Sequence, residues 1–90
     1  IDRPEYGLRA LRALAQAGVS VDASPFRRVL EDRGAAVLTR VWAAQGLGHV
    51  GQSFDARLLG GELASTSDPR LREALAVSIL QLPEAQKTGA

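Results

Sequence analysis

The residues with the clearest chemical spacing are Gly46-Leu47-Gly48-His49-Val50-Gly51, which reproduce the G-x-G-x-x-G pattern. In a dinucleotide site that pattern lets the backbone approach a pyrophosphate at a helix N-terminus, but it does so after a buried strand within a βαβ unit. Here the residues before Gly46 read as helix, with Val37, Leu38, Val41 and Trp42 at helical spacing. Ninety residues are also too few for the usual sheet. The segment is therefore expected to be a glycine-rich connection between helices.

His49 is the single histidine, with no second imidazole to share a metal or a proton. The carboxylates Glu31, Asp32, Asp55, Glu62, Asp68 and Glu73 could form an acidic pair in principle. Their positions suit plainer duties. Asp68 precedes Pro69 as a helix cap, and Glu31 and Asp32 stand four residues after Arg27 and Arg28, where ion pairs form along a helix. No serine lies in a G-x-S-x-G elbow. The absence of cysteine removes disulfides and thiolate zinc sites. Neither an enzyme nor a cofactor is expected.

Arginine offers the remaining chemistry. Arg9 and Arg12 on a first helix, and Arg27, Arg28 and Arg33 on or just after a second, could be laid out across a Gly18–Ser24 turn as a DNA-binding helix-turn-helix. That turn is longer than the usual three or four residues. The net charge of +1 also lacks the concentrated basic excess of a nucleic-acid binder. Nucleic acid is thus the second choice of partner.

The elements that must carry these residues are helices. Asp2-Arg3-Pro4-Glu5 is a start signature, and Leu8, Leu11, Leu14 and Ala15 recur at helical spacing before Gly18 ends the run. Val19–Asp22 is too short to build a sheet and reads as a connector. Ser24-Pro25 opens a second helix with Phe26, Val29 and Leu30, and Gly34 marks either a tolerated weak point or, the preferred reading, a break before a further helical stretch that reaches Gln45. Ser53 is expected to cap a helix carrying Phe54, Leu58, Leu59 and Leu63, short or frayed because of Gly60-Gly61. Pro69 to Leu82 forms the last and most apolar helix, stopped by Pro83.

With 46% hydrophobic and 23% charged residues, this pattern predicts an all-α fold: a compact bundle of four to five short helices in one domain over 1–83, followed by a disordered tail at 84–90. A winged helix is disfavoured, since no Asn-Gly or Asp-Gly hairpin turn is present. No apolar run is long enough to span a membrane. The last helix is apolar most of the way round, so it is either central in the core or covered by a partner; the latter reading gives an interface built from Leu71, Leu75, Ile79 and Leu82 with Trp42. The expected function is a noncatalytic interaction module, forming a homodimer or docking a protein partner. The Ala, Leu, Arg and Gly bias and the lack of cysteine suggest a bacterial, cytoplasmic parent, and the opening Ile1 suggests a piece cut from a longer protein.

Overall fold

A computed structural model describes residues 4–83, with side chains from residue 7. Within them the chain is all-helical: α1 (Pro4–Gln16), α2 (Ser24–Glu31), α3 (Val37–Val50), α4 (Asp55–Ser65) and α5 (Pro69–Gln81). The expected cap at Asp2 and the expected tail at 84–90 lie outside the described residues.

Local chemistry sets most helix ends. At the end of α1, Gly18 takes φ +91°, a conformation L side chains rarely adopt. Val19 N–H then donates to Leu14 C=O (2.9 Å) and Gly18 N–H to Ala15 C=O (3.1 Å), the paired bonds of a Schellman motif. Before α2, Asp22 Oδ1 accepts from Ser24 N–H at 3.0 Å. After it, Asp32 Oδ1 accepts from Gly34 N–H at 3.0 Å, so the chain does break around Gly34. At the start of α5, Asp68 Oδ1 accepts from Arg70 N–H (2.9 Å) and Leu71 N–H (3.2 Å), leaving Pro69, which has no N–H, in the first turn.

The expected loop at Gly46–Gly51 is instead the last turn and a half of α3, and only Gly51 lies beyond it. Helix α3 is the centre of the bundle, packed by α1, α2 and α5. Gly46 and Gly48 let two of those neighbours come close. A Cβ on Gly46 would lie 2.4 Å from the Phe26 ring of α2, and one on Gly48 would lie 3.0 Å from Ser78 Cα of α5. The glycines that look like loop punctuation are the contact points of a crowded helix.

Two further expectations fail in α4. Ser53 is not its cap; the helix starts at Asp55, after Phe54, with no side-chain cap bond. Nor is it cut short at Gly60-Gly61, since it continues to Ser65. Nothing lies within 4 Å of a Cβ placed on either glycine. Gly60→Ala and Gly61→Ala should therefore each stabilise the fold by about 0.5–1 kcal/mol, through helix propensity and a less flexible unfolded chain. Thermal unfolding of the single and double variants measures this.

Packing also overturns part of the expected interface. Helix α5 is held between α3 and α4, which enclose a wide apolar arc rather than one stripe. Leu71 and Leu75 are 0% exposed and Leu82 5%, so these three belong to the core. Ile79 and Trp42 are half-buried against it. The solvent face of α5 carries Glu73, Ala76, Val77 and Leu80, with Leu80 81% exposed.

Candidate docking groove

Between α1, α3 and α5 runs a groove of about 480 Å³. Its floor is the outward strip of α3, where Val41, Gln45 and His49 recur at intervals of four residues. Gln16 closes it from the end of α1. Arg70, Glu73, Ala74, Val77, Ser78 and Gln81 form the α5 wall. The floor and wall thus combine the apolar Val41, Ala74 and Val77 with neutral amides and one charge of each sign. Ser78 is not a free nucleophile: its hydroxyl is buried and donates to Ala44 C=O at 2.6 Å. His49 is exposed and stands without a second histidine or cysteine.

Beside the floor, Arg12 Nη1 donates to Gln45 Oε1 at 2.8 Å. The guanidinium carbons of Arg9 and Arg12 lie 5.2 and 5.8 Å from the Trp42 ring centroid, within cation–π range. Trp42 thus serves as a platform for two arginines.

The other arginines named from the sequence are tied elsewhere. Arg27 does not pair with Glu31 along its own helix; it reaches across to α4 and grips Asp55 with Nε (2.8 Å) and Nη2 (3.0 Å). A buried carboxylate offers a two-pronged geometry that an exposed neighbour four residues away cannot match. Arg33 donates to Ser65 Oγ at 3.2 Å and lies 3.6 Å from Glu62. Arg28 is exposed and makes no ion pair with Asp32 or any other described side chain. The fold brings Arg9 and Arg12 together, but anchors Arg27 and Arg33 to different parts of α4.

Burial alone would raise the Asp55 carboxyl, but Arg27, the Gln52 N–H at 2.8 Å and the guanidinium charge together hold it below its ordinary value. A folded-state pKa below the unfolded one stabilises the fold above the unfolded value of 3.8, and that stability is lost as pH falls through the lower folded value. Asp55→Asn should cost about 2 kcal/mol at pH 7 and flatten the loss of stability below pH 3.8. Urea unfolding across acid pH measures both.

Sequence reasoning missed the groove. Val77 and Leu80 could have been found by a helical wheel, since they share a face with Glu73, but only the two-sided packing of α5 reveals which face is left to solvent. Among the described residues no group of three or more His, Asp or Glu could hold a metal ion, and no helix is long and apolar enough to cross a membrane. Set beside protein-family models, curated proteins and solved structures, the chain finds no significant match.

Proposed function

We propose that this domain is a noncatalytic interaction module of a cytoplasmic, bacterial-type protein, and that it docks an amphipathic helix of a protein partner in the α1–α3–α5 groove. One observation carries the reading. Val77, 47% exposed, lines a concave, partly apolar groove, and Leu80, 81% exposed, follows three residues later on the solvent side of α5, while the leucines on the inner side of the helix are enclosed. Exposed apolar side chains at the lip of a groove are the usual anchors for a helix laid into it. The amides of Gln16 and Gln81 can donate or accept at the rim, which suits a polypeptide.

Phage-displayed helical peptides selected on the protein test this. Enriched sequences should carry apolar residues at i, i+3 or i+4, and i+7. Val77→Asp should weaken them at least about tenfold, as expected for a central anchor. Phe54→Ser, at an exposed aromatic on the α3–α4 connection, should leave them unchanged. Failure to enrich any peptide, or indifference to Val77→Asp, overturns the reading. A dimer in light scattering that Val77→Asp dissolves would assign the surface to a second copy instead.

A further inference from the structure

Resting on that groove, the geometry points to a partner helix that is acidic along the flank facing α1, with its carboxylates on Arg9 and Arg12. These two arginines meet no carboxylate among the described side chains. Arg27, Arg33, Arg40 and Arg70 each stand within 4 Å of one, while Arg28, Arg57 and Arg72 also meet none; Arg9 and Arg12 are set apart by sharing one indole beside the groove. Arg12 Nε is buried and lacks a hydrogen-bond partner, although its Nη1 reaches the groove floor at Gln45. Two guanidinium groups held over one indole are oriented in advance, so less side-chain freedom is lost when an anion arrives. The same contact sets two cations against the Trp42 ring. An acidic amphipathic helix fits the groove and its arginine flank: apolar side chains between Val41 and Val77, and carboxylates towards α1.

The test uses three synthetic helical peptides with one leucine stripe and flanks of glutamate, glutamine or lysine. Binding is followed through Trp42, the only tryptophan. Affinity should rank glutamate above glutamine above lysine, and the ranking should collapse at about 0.5 M salt, where the screening length is only a few ångströms. Arg9→Gln should weaken the glutamate peptide about two- to fivefold, the range of an exposed ion pair, and leave the glutamine peptide unchanged. Arg9→Lys should restore most of the loss. If all three peptides bind equally and still depend on Val77, the acidic flank is wrong and the groove stands. If none binds, both fall. If an oligonucleotide perturbs Trp42 while no peptide does, the arginines serve nucleic acid and the inference is overturned.

Discussion

Glu62→Leu is expected to destabilise the domain by about 3–5 kcal/mol, because it strands a buried arginine. Arg40 is 7% exposed and so is Glu62, and Arg40 Nη2 donates both to the Glu62 carboxylate and to Leu30 C=O at 3.1 Å. That second bond satisfies a carbonyl in the last turn of α2, where no further helical N–H is available. One side chain from α3 thus ties the end of α2 to α4. Arg40 Nε already lacks a partner, so loss of Glu62 would leave the charge with almost no compensation. A domain of this size has a total stability of only about 5–13 kcal/mol. Urea unfolding of Glu62→Leu, Arg40→Met and the double variant separates the causes. Both single variants should be much weaker than the parent, and the double variant should recover most of the loss, since an apolar pair of similar volume can replace a buried ion pair. Additive losses would mean that the two groups act independently.

Gly46→Ala is expected to destabilise the domain by about 1–3 kcal/mol through overpacking, although alanine is the better helix former by about 1 kcal/mol. The new methyl would lie 2.4 Å from two atoms of the Phe26 ring, which is 0% exposed and enclosed by the core. A rigid ring in a close-packed interior has little room to give way, so the clash outweighs the gain in propensity. The contrast with Gly60 and Gly61, where the same change meets open space, makes the pair diagnostic. Thermal unfolding should move in opposite directions at the two places. Phe26→Leu introduced beside Gly46→Ala should recover part of the loss, and no recovery would show that the ring is not the obstacle.

The helical class, a count of four to five helices and the breaks at Gly18 and Asp68-Pro69 were legible in the residues, and the break at Gly34 was the preferred of two readings there. Each depends on bonds that span only two to five positions, such as Val19 to Leu14 or Leu71 to Asp68. Side-chain oxygens, a missing proline N–H and a glycine at positive φ act on the backbone beside them, so their effect can be read without knowing the rest of the molecule. The apolar character of α5 was equally plain.

Other assignments depended on groups far away along the chain. Gly46 and Gly48 carry the spacing of a loop, yet they lie within α3, where Phe26 and Ser78 leave no room for a Cβ. Arg27 passes over Glu31 for Asp55, 28 residues on, where burial makes a two-pronged bond worth more than a solvent-screened one. Leu71 and Leu75 are core residues, and Val77 and Leu80 are surface ones, because α3 and α4 cover two sides of α5 and leave the third to water. A sequence lists how much apolar surface a helix has. Which part of it meets a neighbour follows from how the other helices cross it, and those crossings are set by contacts between residues tens of positions apart.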